Sequence, residues 1–222
     1  GVGSVTGANF LLSTEKTKIL VDCGLIQGSR DKMEQDPNRE PFVYDPAEID
    51  FLIITHAHAD HVHGLDDIRQ FNEIQGSTIP CFGNKDTIDI IRQKYDYVFT
   101  ATQQGGGKPD ISLNVVNSGF DLFGIKILPL PVKHGKLDIL GYRINDFAYI
   151  TDASYIPDET MYKIRGLSVL VLNALRYEPH DTHFSVNQAL EVIEKVKPKK
   201  TFLTHICHML DHEETEKKLV KT

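Results

Sequence analysis

The chain has 222 residues, of which 41% are hydrophobic and 25% charged, a balance that excludes a disordered or fibrous polymer and leaves enough apolar surface for a core without disulfides. Its net charge of −7 works against general affinity for nucleic-acid phosphates, because that affinity comes from clustered Lys and Arg. Cys23, Cys81 and Cys207 are too few and too widely spaced for a disulfide framework or zinc ribbon, no apolar run approaches the roughly 20 residues that cross a bilayer, and no secretory signal is visible, so three thiols and a cytoplasmic location are expected.

Short apolar and β-branched runs at residues 10–12, 19–21 and 51–54 predict strands. Residues 27–48 are polar and carry Pro37, Pro41 and Pro46, which predicts a long surface loop with at most one helical turn, placed to cover a site. After His61 the period becomes helical, with Leu65, Ile68, Phe71 and Ile74 on one face, followed by a strand at 79–82 and a helix at 87–95. Residues 102–110 contain Gly105, Gly106 and Gly107 and read as a flexible surface linker rather than a substrate flap. Strands at 111–116, 125–130, 140–144 and 148–150 precede a helix at 159–164, a strand at 167–172, a helix at 186–196, a strand at 201–204 and a helix from about 211. This order shows no internal repeat and predicts one α/β domain over residues 1–222, a four-layer αββα sandwich with two sheets inside and helices outside.

One segment carries most of the chemistry. Thr55-His56-Ala57-His58-Ala59-Asp60-His61 follows directly on the apolar strand, so four metal-capable side chains sit at its C-terminal end. In extended backbone, residues two apart point the same way, so His56 and His58 can share a metal while the turn into the next helix aims Asp60 and His61 elsewhere. The two alanines between them are too small to obstruct. Hydrolytic metals need further ligands, and His134, Asp152 and His205 each follow a predicted strand, at the edge where open sheets collect function.

The H-x-H-x-D-H spacing of His56 to His61 resembles the metallo-β-lactamase superfamily. That resemblance implies the αββα fold, with His56, His58 and His134 on one metal, Asp60, His61 and His205 on the other, and Asp152 bridging. Residues 50–215 look most like the cyclic phosphodiesterases of phosphonate degradation, through Asp60-His61-Val62-His63-Gly64-Leu65, Thr151-Asp152 and Thr204-His205-Ile206-Cys207-His208. In Asp181-Thr182-His183-Phe184-Ser185, His183 matches the histidine that in that group sits by the substrate phosphate, which implies a phosphate contact or general acid. His180 and His208 are candidates for supporting the ligands, whereas His63, His212, Lys133 and Lys136 read as solvated. Residues 1–30, with Gly1-Val2-Gly3-Ser4-Val5-Thr6-Gly7 and Val21-Asp22-Cys23-Gly24-Leu25, and then Asn38 to Phe42, instead resemble the opening of the β-CASP RNA-processing nucleases. The inserted domain of those nucleases has no room between His61 and Asp152, and the cysteine-rich zinc site of the phosphodiesterases is missing, which predicts a chimera of two sources.

The expected cofactors are two divalent metal ions, zinc or manganese with iron also compatible, about 3.5 to 4 Å apart and bridged by a hydroxide that attacks the substrate. Two metals, two carboxylates and a hydroxide leave roughly one positive charge, which favours an anionic phosphodiester and the extra charge of its transition state. The expected function is therefore a metal-dependent phosphodiesterase for small or cyclic phosphodiesters, with Asp60, Asp152 and His183 in catalysis. The expected partner is that small substrate, with neither nucleic acid nor membrane, and a homodimer is compatible. Rival readings are a thioesterase or lactamase, an RNA nuclease, and a scaffold of the same fold that binds metal without turnover. Only residues 206–222 follow His205, where glutathione thioesterases add a helical domain. A di-iron redox protein of this fold would carry Glu in place of His58.

Overall fold

The computed structural model describes residues 7–26, 42–101 and 107–219, in two compact units, one of Thr6–Asn117 and one of Ser118–Thr222. The N-terminal glycine-rich motif up to Thr6, most of the predicted covering loop (27–41) and the glycines of the 102–110 linker up to residue 106 lie outside the described residues.

In the first unit a five-stranded sheet has the order β1 (Phe10–Ser13), β2 (Lys18–Val21), β3 (Phe51–Ile53), β4 (Ile79–Gly83), β5 (Ile111–Val115). β1 and β2 are antiparallel and the other pairs parallel. Ile19 to Val21 and Phe51 to Ile53 are buried without alternation, as expected for parallel strands covered on both faces. Helices α1 (Ala59–Val62), α2 (Ile68–Gln75), α3 (Lys85–Lys94) and α4 (Asp96–Phe99) belong to this unit, with 3-10 turns at Pro46–Glu48 and His63–Asp67. Leu65, Ile68 and Phe71 pack into its core, but Ile74 is 59% exposed. A strict spacing of three drifts about 60° per step around a 3.6-residue helix, so the stripe has turned off the core by its fourth member.

In the second unit a six-stranded sheet has the order β11-β10-β9-β8-β7-β6. Its strands are β6 (Phe120–Leu122), β7 (Ile125–His134), β8 (Leu137–Ile144), β9 (Phe147–Ile150), β10 (Val169–Asn173) and β11 (Lys200–Thr204). β6 to β9 form an antiparallel meander; β9, β10 and β11 are parallel, with α5 (Asp158–Lys163) and α6 (Val186–Val196) in the crossovers and α7 (His212–Leu219) last. The bounds of α6 coincide with the sequence reading, and Ser185 and Gln188 close a capping box at its start.

β7 runs four residues beyond its predicted end, through Pro129 and Pro131. Both prolines pair with β8, while β6 pairs only with Ile125 to Ile127 on the other side. At Lys133, in phase with them, the backbone N–H points away from β8 and donates to Tyr155 at 2.9 Å. Proline nitrogens therefore fall on the edge where no ladder donor is needed.

Both units are mixed sheets with helices, the α/β class expected. No helix of the described residues is long and apolar enough to cross a membrane.

Candidate metal centre

Within the first unit, β3 delivers the chain to the motif. His56 and His61 are buried, at 3% and 0% exposure, whereas His58 is exposed and Asp60 partly so. His56 Nε2 lies 3.0 Å from His58 Nδ1, so the two-residue spacing aims both rings at one place even though the segment is a loop there. α1 begins at Ala59 and carries Asp60 and His61, whose Oδ2 and Nε2 are 3.5 Å apart. The loop is pinned from behind: Ala8 N–H donates to the Asp60 carbonyl and Cys23 N–H to the His61 carbonyl, both at 2.8 Å. Gly24 makes this approach possible, since a Cβ there would sit 1.6 Å from the Asp60 carbonyl oxygen.

Asp22 was missed by the sequence reading. It follows β2 in the left-handed region, φ 60°, and is fully buried. Its Oδ2 is 2.8 Å from His61 Nδ1, and its Oδ1 accepts the Thr55 N–H at 2.8 Å. The Thr55 hydroxyl, 2.8 Å from Asp22 Oδ2, also lies 3.1 Å from His56 Nδ1. Burial pushes the Asp22 carboxyl above the usual carboxylate range, opposed by His61 and Thr55. Asp22 thereby fixes the His61 ring with Nε2 on the Asp60 side.

Within the second unit four predicted residues come together. His134 ends β7 and is buried. Asp152 lies just beyond β9 at φ 56°, and His205 just beyond β11 at φ 56°. Asp152 Oδ1 accepts the Thr151 hydroxyl at 2.5 Å and is 3.2 Å from His205 Nδ1; its Oδ2 is 3.6 Å from His183 Nε2. The His183 ring lies 4.6 Å from that of His134 and stacks at 4.8 Å on that of His205. His134, Asp152 and His183 each offer a ligand atom within 4.8 Å of the others. His183, expected at the substrate, thus also lies at ligand distance from the expected metal ligands.

Two supports in this unit were invisible in the sequence. The Asn173 side chain, fully buried at the end of β10, accepts the Ala153 N–H at 2.8 Å and donates to the Ala153 carbonyl at 3.0 Å, which braces the turn beside Asp152. The Thr182 carbonyl accepts from His134 Nδ1 at 2.8 Å. Of the two histidines expected in support, His180 contacts His183 and Thr182, while His208 is exposed, as are His63 and His212. Lys133 is paired with Asp138 at 2.6 Å, and Lys136 is exposed. The three cysteines are buried thiols outside these clusters, and burial raises Cys81 to about 12.

Both clusters are made of imidazole and carboxylate donors, and His183 Nε2 is buried with no hydrogen-bond partner among the described residues. Such a set suits divalent cations. Two mixed sheets with histidine and aspartate gathered at their strand ends define the metallo-β-lactamase fold class. The description "beta-lactamase superfamily domain" matches residues 17–206, and the chain belongs to that family. It is similar to a crystal structure described as a diphosphatase from the PhnP family, with 34% identity and a TM-score of 0.78, covering 95% of this chain and 76% of that one.

Among curated proteins, an octanoyltransferase of Porphyromonas gingivalis is 28% identical over 213 residues, 91% of this chain and 39% of its own length. Ribonuclease TTHA0252 of Thermus thermophilus is 44% identical over 61 residues, 28% of this chain and 13% of its own length, in part of the N-terminal region. The chain therefore spans well under half of either relative.

Proposed function

We propose that the chain is a metal-dependent phosphodiesterase that hydrolyses small or cyclic phosphodiesters. The observation that most supports this reading is the gathering of His134, Asp152, His183 and His205 at strand ends, with no cysteine among the donors. The residues that would hold two divalent ions are His56, His58, Asp60, His61, His134, Asp152 and His205, a donor set compatible with zinc, manganese or iron. Such ions, when bound, supply Lewis acidity and bring the pKa of water toward about 7.

The side chains divide the remaining work. Asp152 is held by Thr151 and His205, so its carboxylate is oriented before any ligand arrives. His183 presents Nε2 beside it and, when protonated, can hydrogen-bond a phosphoryl oxygen or give its proton to the leaving oxygen. Asp60 adds a partly exposed carboxylate on α1. The similarity to a described diphosphatase favours phosphoric over acyl substrates, and the net charge of −7 favours a small ester over a long nucleic acid.

The test is a panel on metal-replete protein: an aryl phosphodiester, a cyclic nucleotide, inorganic diphosphate, a short RNA, a glutathione thioester and a β-lactam. The small phosphodiesters are expected to have the highest kcat/KM, with about two metal ions per chain by elemental analysis. Asp152→Ala and His58→Ala are expected to abolish that cleavage while the fold persists. A higher kcat/KM for RNA or thioester would overturn the substrate class, and well under one metal per chain would overturn the mechanism.

A further inference from the structure

We propose that Thr182 is a positioning residue for two histidines at once, its carbonyl fixing His134 and its hydroxyl fixing His183, each with Nδ1–H turned toward Thr182 and Nε2 left as the working nitrogen. The proposal rests on the reading above that His183 meets the substrate.

The carbonyl half follows from chemistry alone. A carbonyl oxygen only accepts, so the 2.8 Å contact requires His134 Nδ1 to carry the hydrogen, and the neutral ring keeps its lone pair on Nε2. A hydroxyl can donate or accept, so its direction has to be set by a partner whose role is fixed. The Thr182 backbone N–H is that partner. It can only donate, and it lies 3.3 Å from His180 Nδ1, which makes that nitrogen an acceptor.

Thr182 Oγ1, 3.2 Å from the same nitrogen, can meet it only as a donor, and we place its proton there, shared on that lone pair with the backbone N–H. The lone pair of the hydroxyl is left for His183 Nδ1 at 2.8 Å, the shortest contact the hydroxyl makes, so His183 Nδ1 donates. The 3.3 Å approach of His183 Nδ1 to His180 Nδ1 agrees, because it sets a donor against an acceptor rather than two lone pairs. Burial, and then His183, hold His180 below the usual imidazole range, which keeps it neutral and accepting. The result is His183 Nε2 without a proton in the neutral ring, 3.6 Å from Asp152 Oδ2. Gly135, at φ 59° in the β7–β8 turn, lets this segment come close to His134, since a Cβ there would lie 2.9 Å from Thr182 Cγ2.

Thr182→Val separates the two functions, because it deletes the hydroxyl and leaves the carbonyl. With bis(4-nitrophenyl) phosphate as substrate, kcat is expected to fall roughly 10- to 100-fold with KM little changed, and Thr182→Ser to recover most of the loss. Metal content by elemental analysis is expected to match the parent. In a His183→Ala background, Thr182→Val should cost nothing further, since the hydroxyl acts only through that ring. Two-bond ¹H–¹⁵N correlation on the metal-free protein should show His183 as the Nδ1–H tautomer in the parent and a mixture in Thr182→Val. An Nε2–H tautomer in the parent, or a fully active Thr182→Val beside an impaired His183→Ala, would overturn the proposal and leave the phosphodiesterase reading intact. Undiminished activity in His183→Ala would instead remove the reading on which it rests.

Discussion

Asp22 stands behind the metal motif rather than in it, and it answers three donors from two residues without access to water. Asp22→Ala would strand the Thr55 N–H and hydroxyl together with His61, so a loss of about 3 to 5 kcal/mol is expected in a denaturant titration. Asp22→Asn keeps an acceptor for Thr55 but not the charge opposite His61. It is expected to fold and to bind metal about 10- to 100-fold more weakly in competition with a chromophoric chelator. The ligand-type residues of the motif were legible because four of them fall within His56 to His61. Asp22, Asn173 and the Thr182 carbonyl were not, because each acts by hydrogen bonds to partners distant in sequence, 39 residues from Asp22 to His61 and 48 from His134 to Thr182. The available signal was an acidic residue directly after the apolar run Ile19 to Val21, and Asp152 follows the apolar strand β9 with one threonine between.

α6 begins two residues after the His183–Phe184 pair, and its first turn is closed by reciprocal bonds between Ser185 and Gln188. Ser185→Ala removes the side-chain half of that box and is expected to cost about 1 kcal/mol in urea unfolding; an unchanged midpoint would contradict the capping role. Elements of this kind were readable in advance, since a cap followed by an apolar period marks both the start and the face of a helix. β7 outran its predicted end at residue 130, because Pro131 falls where no ladder donor is needed and so does not end the strand. β6 and α4, of three and four residues, hold barely more than one period each, too little for a repeat to be detected.

For the chain as a whole, stability should depend on alkaline pH. Burial raises Tyr44, Cys81 and Tyr95 to about 12 from ordinary values of 10.0, 9.0 and 10.0, so the folded state favours their neutral forms. Their contribution is complete below pH 9, where the unfolded chain is still protonated, and is lost as pH rises toward 12. The thermal midpoint of the Thr6–Asn117 unit is expected to fall across that window, and a flat profile would contradict it. Asp22, Asp152 and His205 stand at φ 60°, 56° and 56°, a region that costs an ordinary L-residue about 1 kcal/mol or more, against a typical net stability of about 5 to 15 kcal/mol. Glycine would relieve Asp152 and His205, whereas at Asp22 the stranded Thr55 and His61 donors outweigh the strain. A lineage released from the proposed metal would therefore drift toward glycine or asparagine at those two positions, and their occupants in distant descendants would record which copies had decayed.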